Sequence, residues 1–266
     1  RHAERQRKAA QQSATVAQAA ARRADEETDQ ARAVLAFMRE TLTSVEPDSR
    51  GADVRLISIL ASASDSAAQR FGAPPEQEAE IRDLLGQTYL KLSMWPEART
   101  QLGLAIDLWR RSAGPDDPRA LRTQISQVRN LLNAALTNEA EPLINDLLPR
   151  LDRVFGPDAP ETLEAQRSVA IIHMLRGRVD QAEALLRRLR AHPALADKEM
   201  SQITILGGLL AVYTQRFSTD DSGRRDQYLA EAEPLALEWV ERTTRRLGPR
   251  STTTLQATTK WAEIVC

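Results

Sequence analysis

The sequence predicts an all-α protein built as a stack of helical hairpins, and three observations carry that prediction. Apolar residues make up 42% of the 266 positions but aromatic residues only 4%. The core is therefore built from Ala, Leu, Val and Ile, a mix that suits close-packed helices better than a β-sandwich. Gly72, Gly114 and Gly156 recur every forty-two residues, each with a Pro within two positions, and Ala98, Ala140 and Ala182 keep the same step. Each period holds two helix-length apolar patterns separated by a short break, which is how a helical array reads.

The first segment, 1–46, is one long helical pattern with no Pro or Gly before Pro47 and eleven alanines between residues 9 and 36. A three-four spacing of small and apolar residues runs from Ala10 through Ala24 and Leu35 to Val45, a heptad seam. At about 1.5 Å per residue such a helix is roughly 60 Å long. Two readings stay open: a stalk that pairs into a homodimer, and a helix folded back on the next one. Arg1, Arg5, Arg7 and Lys8 form a basic cluster, read as solvated helix surface or a membrane flank. Residues 47–73 carry a short helix over 53–71 and a linker.

The array occupies 74–266. Its expected helices are 76–93 and 97–112, 119–135 and 139–155, 161–176 and 179–191, 198–216 and 225–247, and a final half-unit, 252–265. The fourth copy of the alanine falls at Ala232, fifty residues after Ala182, so about eight extra residues are expected as a loop at "FSTDDSGRRDQ". The punctuation has a physical job. Gly supplies the left-handed turn after a helix, Pro cannot continue it, and Asp116, Asp158 or Ser251 then accepts hydrogen bonds from free amides. Pro142 and Pro234 are expected in the first turn of their helices, and Pro149 is expected to kink or interrupt its own.

Within the first period, "LLGQTYLKLSMWPEARTQLGLA" resembles a tetratricopeptide repeat through Leu85, Gly86, Tyr89 and Ala98, with Leu102 and Ala105 following. Gly86 and Ala98 are small, on this reading, because the paired helices cross there. The forty-two-residue period and the link Gly156–Leu163 resemble the longer repeat of kinesin light chains and many bacterial proteins. The resemblance implies a right-handed superhelix of about four and a half hairpins over 76–266, preceded by the long helix. A second resemblance starts at "ARAVLAFMRETLTSVEP" and continues through "GADVRLISILASASDSAAQRFGAPPEQEAEIRDLLGQTYLKL". It is to the region after the membrane helix of bacterial serine/threonine kinases with tetratricopeptide tails. It implies a sensor part on the extracytoplasmic, periplasmic side, anchored by a segment absent from this chain. The basic N-terminal cluster points instead to the cytoplasmic side.

Catalytic signals are missing. There is no phosphate-cradling Gly loop and no kinase motif set, so the expectation for this chain is no enzyme, no cofactor and no metal. His2, His173 and His192 lack metal spacing, and His173 reads as a packing residue. Asp220-Asp221 lacks the alternating ligands of a calcium loop. At Ser251-Thr254 a helix cap is favoured over a modification site. Trp95, Trp109, Trp239 and Trp261 are too spread out for a base-stacking platform, and the net charge of −1 gives no pull toward nucleic acid. Binding is what stacked hairpins offer, with the first helix of each pair lining the concave groove. The residues expected to face that groove are Asp83, Gln87, Lys91, Arg122, Arg129, Asn133, Arg167, Met174 and Gln202. Arg129 and Asn133 lie one turn apart and Arg122, Arg129, Arg167 and Lys91 are its cations, so the expected ligand is an extended peptide, a protein segment or an acidic group. The expected function is ligand or protein recognition in a kinase sensor region; the alternative is a cytoplasmic scaffold using the same groove.

Overall fold

The computed structural model describes residues 75–219 and 223–265. The alanine-rich segment with its expected helix and dimer seam, the expected helix over 53–71, Asp220-Asp221 and Cys266 lie outside the described residues. The chain divides into two compact units, one reaching Gly114 and one beginning at Pro115.

The described part of the first unit is one hairpin, α1 (Pro75–Lys91) and α2 (Trp95–Ala113). Ile81, Leu85, Tyr89 and Leu90 of α1 close on Ala98 and Leu102 of α2. A Cβ on Gly86 would stand 2.6 Å from Leu102 Cγ, so the residue that needs Gly86 small is Leu102, one turn beyond Ala98. The buried Arg82 donates to Glu78 at 2.7 Å and to Gln101 at 2.9 Å.

The second unit contains α3 (Pro118–Asn133), α4 (Thr137–Phe155), α5 (Pro160–Leu175), α6 (Val179–Arg190), a 3₁₀ turn at Pro193–Leu195, α7 (Glu199–Thr219), α8 (Arg225–Leu247) and α9 (Thr252–Val265). These are three hairpins and a half, making four and a half among the described residues with the hairpin of the first unit. We call the first helix of each hairpin A and the second B. Each A helix from α5 onward packs on the B helix before it, α3 lies beside α5, and α5 beside α7. The recurring Ala98, Ala140, Ala182 and Ala232 are all fully buried.

The turns repeat as closely as the helices. Ser93, Ala135 and Gly177 join A to B at φ of 59°, 59° and 73°. The next amide, of Met94, Leu136 or Arg178, donates to the carbonyl of Tyr89, Leu131 or His173, which is the Schellman closure. Gly114, Gly156 and Gly248 end B helices at φ of 94°, 95° and 85°, as the glycine punctuation predicts. The caps that follow are not all those expected. Asp117, the residue immediately before α3, caps it at 2.8 Å from the Arg119 amide. Asp116, one residue too early, instead holds Arg150 and Arg153, which keep its carboxyl below the usual range. Asp158 meets His192 at 3.0 Å. Ser251 does cap α9, accepting from the Thr254 amide at 3.1 Å. Thr162 and Thr254 each donate back to the glycine carbonyl six residues earlier, at 2.7 and 2.8 Å.

Two expectations about helix breaks are corrected. α4 starts at Thr137 and α8 at Arg225, so Pro142 and Pro234 lie beyond the first turn, and α4 runs unbroken through Pro149. All three prolines are exposed, as are Asn138, Asn145 and Ala230 four residues before them, so the carbonyls left without an intrahelical donor lie on the solvent side. The extra residues of the fourth hairpin do not form one loop. α7 runs on to Thr219, three residues past its expected end, while α8 spans Arg225–Leu247 as expected. The third hairpin departs the other way: α6 has only 12 residues, and the 3₁₀ turn replaces its glycine link.

Arginines tie neighbouring hairpins together, and only four of the 36 cationic residues are Lys. Arg176 and Arg178 both hold Glu141, at 2.8 and 2.6 Å. One period on, Arg216 holds Asp180 and Glu183, both at 2.6 Å. The planar guanidinium can bridge two acceptors at once, which an ammonium does less well. Glu141 is correspondingly held below the usual carboxylate range, by Arg178 and then Arg176.

Candidate binding face

The A helices of the second unit carry the expected groove cations, but their roles differ. Arg122 of α3 donates to Glu161 of α5 at 2.9 Å and lies over the Phe155 ring. Arg129 of α3 donates to Glu164 of α5 at 3.1 Å. Both serve to join adjacent A helices. Asn133 is exposed at the end of α3, away from that pairing. Met174 packs into the core shared by α5, α6 and α7. Gln202 does not face a groove: it is buried, and its amide donates to the carbonyls of Arg190 and Leu195, satisfying backbone left open where α6 stops short. Asp83, Gln87 and Lys91 share one face of α1 and belong to the first unit.

Arg167 is the exception. Its side chain is 20% exposed, its nearest carboxylate oxygen is 4.0 Å away on Glu164, and it makes no hydrogen bond among the described residues. Burial holds the guanidinium below the usual arginine range, the Glu164 charge pulling the other way. It lines a cavity of about 260 Å³ between α5 and the start of α7, together with Glu164, Lys198, Ser201 and Thr204. The short α6 and the 3₁₀ turn shape this cavity by bringing Leu189 and Leu195 to its wall.

Across α7 lies a second cavity of about 500 Å³, lined by Gly207 and Ala211 of α7, Trp239 of α8, and Leu255 and Thr259 of α9. A Cβ on Gly207 would stand 2.9 Å from the Trp239 ring, and one on Gly208 would stand 3.2 Å from Leu186. The glycine pair therefore seats α7 deeply between the B helices and leaves a low ridge between the two cavities. Leu255 is 55% exposed and Met200 46% exposed at the rims. The run "ILGGLLAVY" held the signal for this feature, because two glycines inside an apolar helix weaken it and mark a close approach.

A larger cavity of about 720 Å³ opens between α6 and α8. Arg187 crosses it to Glu231 at 2.9 Å, and Arg190 reaches Glu238 at 2.5 Å. The Tyr213 hydroxyl at its base accepts from Arg187 and donates to Glu231 at 2.8 Å. Burial and that bond raise the hydroxyl well above its ordinary range. Here the charged groups answer one another, whereas at Arg167 one does not.

His173, in the place Leu131 holds in the preceding hairpin, is half-buried with its Nδ1 enclosed and without a partner. His192 opens the 3₁₀ turn, its Nδ1 accepting from the Ala194 amide at 3.2 Å. No group of three or more metal-ligating residues exists among the described residues, and no described helix is long and apolar enough to cross a membrane.

No family model and no curated protein matches the chain. Solved structures do. A Podosopora anserina kinesin-light-chain-type protein with nearly identical TPR-like repeats is 18% identical over 72% of this chain and 87% of its own, with a TM-score of 0.51; a point variant of it superposes equally well. BtubC (BKLC) from P. vanneervenii is 13% identical over 79% of this chain and 89% of its own, with a TM-score of 0.53. The fold is a TPR-like stack of helical hairpins. At these identities the likeness establishes the fold alone.

Proposed function

We propose that this chain is a recognition module whose second unit binds a segment of another protein along its A-helix face, as a binder and not as an enzyme. The observation that supports this most is the pair of cavities flanking the α7 glycine ridge, with Leu255 and Met200 exposed at their rims. Clefts lined mainly by apolar side chains with a few placed polar groups are where ligands bind, and a helical repeat scaffold offers its extended face for binding.

The test is selection of binders from a random dodecapeptide display library, followed by affinity measurement on two variants. Leu255→Glu changes the A-helix face. Leu237→Glu changes a B-helix position that is 48% exposed. Selected peptides should lose about tenfold or more with Leu255→Glu and little with Leu237→Glu. The reverse pattern would move the interface to the B helices and overturn the assignment.

The setting of a membrane-anchored serine/threonine kinase tail, on the extracytoplasmic side, is proposed from the sequence resemblance of residues 31–92 alone. A free cytoplasmic scaffold uses the same face equally well. The coding sequence upstream of Arg1 separates them: an apolar run of about twenty residues supports the anchored sensor, and a soluble start supports the scaffold. The homodimer through 1–46 is likewise a proposal, tested by the mass in solution with and without that segment.

A further inference from the structure

Charge and space coincide at Arg167. A guanidinium carries five donors, and taking one largely out of water without hydrogen-bond partners is costly. Arg167 pays this on a cavity wall, where a ligand can reach it, while Glu164 is held 3.1 Å from Arg129 on the neighbouring helix. The cavity adds Lys198, Ser201 and the Thr204 side chain, and the Thr204 hydroxyl is already bonded to the Met200 and Ser201 carbonyls. The Arg167 guanidinium, the Lys198 ammonium and the Ser201 hydroxyl are the groups left to answer, two of them cationic, so the missing partner is an anion. Its charge is bounded by Glu164, whose carboxylate 4.0 Å from Arg167 repels a dianion more than a monoanion. A volume of about 260 Å³ suits one short side chain.

We infer that the Arg167 cavity seats the carboxylate of an Asp or Glu side chain of the bound segment, with a bulky apolar side chain of the same segment in the Trp239–Leu255 cavity. This rests on the A-helix face being a peptide groove. Neighbouring helices pack about 8–10 Å apart, so the grooves on the two sides of α7 are about 10 Å apart. An extended chain covers about 3.3 Å per residue. The α7 residues lining them are also offset along that helix, Met200–Ile205 against Gly207–Ala211, by about seven positions or about 10 Å at about 1.5 Å per residue. The two anchors are therefore about 14 Å, or about four extended residues, apart.

The experiment uses the full chain and ten-residue peptides with Leu placed four positions from Glu, each paired with its Gln counterpart. The Glu peptides should bind about 10- to 100-fold tighter than the Gln peptides. Arg167→Gln should erase that difference, and Arg167→Lys should restore part of it. In parallel, the Arg167 Nε–Hε resonance should shift saturably with acetate and less with inorganic phosphate at neutral pH. Equal binding of Glu and Gln peptides, still lost with Leu255→Glu, overturns the carboxylate seat and leaves the peptide face standing. An acetate-responsive Arg167 with no peptide binding keeps the seat and removes the peptide reading. Preference for phosphorylated peptides over Glu peptides overturns the monoanion assignment, and an acetate-silent resonance with no peptide binding overturns the whole inference.

Discussion

Arg167 stands 4.0 Å from Glu164 while Glu164 is hydrogen-bonded at 3.1 Å to Arg129. One carboxylate thus serves the helix-to-helix tie and leaves the nearer-sequence arginine without a bond. If Arg167 is kept for a ligand, the unligated protein is less stable for having it. Arg167→Met should raise stability by about 1 kcal/mol in urea unfolding, because an apolar side chain of similar length suits that wall better than an unanswered charge. A loss of stability would identify Arg167 as a structural partner instead.

Gly86 and Leu102 set the crossing of the first hairpin. A methyl group at Gly86 would meet Leu102 side-chain carbons at 2.6 and 2.7 Å and its backbone nitrogen at 3.2 Å. Rotation of Leu102 relieves only part of this. Gly86→Ala should cost about 1–3 kcal/mol, and Leu102→Ala in the same chain should recover some of it. Additive losses in the double-mutant cycle would show that the two do not touch.

The A-to-B turns offer a test inside the repeat itself. Ala135 and Gly177 occupy the same place at φ of 59° and 73°. A left-handed residue with a Cβ costs about 1–2 kcal/mol, and glycine gives back about 0.5–1 kcal/mol through the freedom of the unfolded chain. Ala135→Gly should therefore stabilise by about 0.5–1 kcal/mol and Gly177→Ala should destabilise by a similar amount. Equal signs for the two changes would contradict the turn assignment.

Burial, and then the Arg178 charge, hold the His173 imidazole below its ordinary value of 6.5. Above that pH both folded and unfolded chains carry it neutral. As pH falls through 6.5 the unfolded chain takes up a proton that the folded chain resists, so stability falls until the folded value is reached and then levels. His173→Leu, which copies Leu131 of the preceding hairpin, should flatten stability between pH 7 and the acid range. An unchanged slope would place the titrating group elsewhere.

The sequence made the helices legible because their punctuation is local. Gly156, Pro157 and the alanines at forty-two-residue steps act through their own turns, and the observed helices start within two residues of expectation. The extra residues are legible only in part: α8 starts at Arg225 as the pattern predicts, but the polarity of residues 217–219 reads as loop although α7 continues through them. The site was less legible for a different reason. Arg122, Arg129 and Arg167 look alike along their helices, and only the carboxylates of the next helix decide that two are bonded and one is not. Gln202 was misread because the short α6, which leaves carbonyls for it to satisfy, is a property of another element.

Chemical-shift mapping of the chain with a selected peptide tests the account most directly. Binding should move resonances in one patch: Glu164 and Arg167 on α5, Thr204 to Ala211 on α7, and Leu255 to Thr259 on α9. A patch centred on Arg187, Arg190 and Glu231, between the B helices, would contradict it.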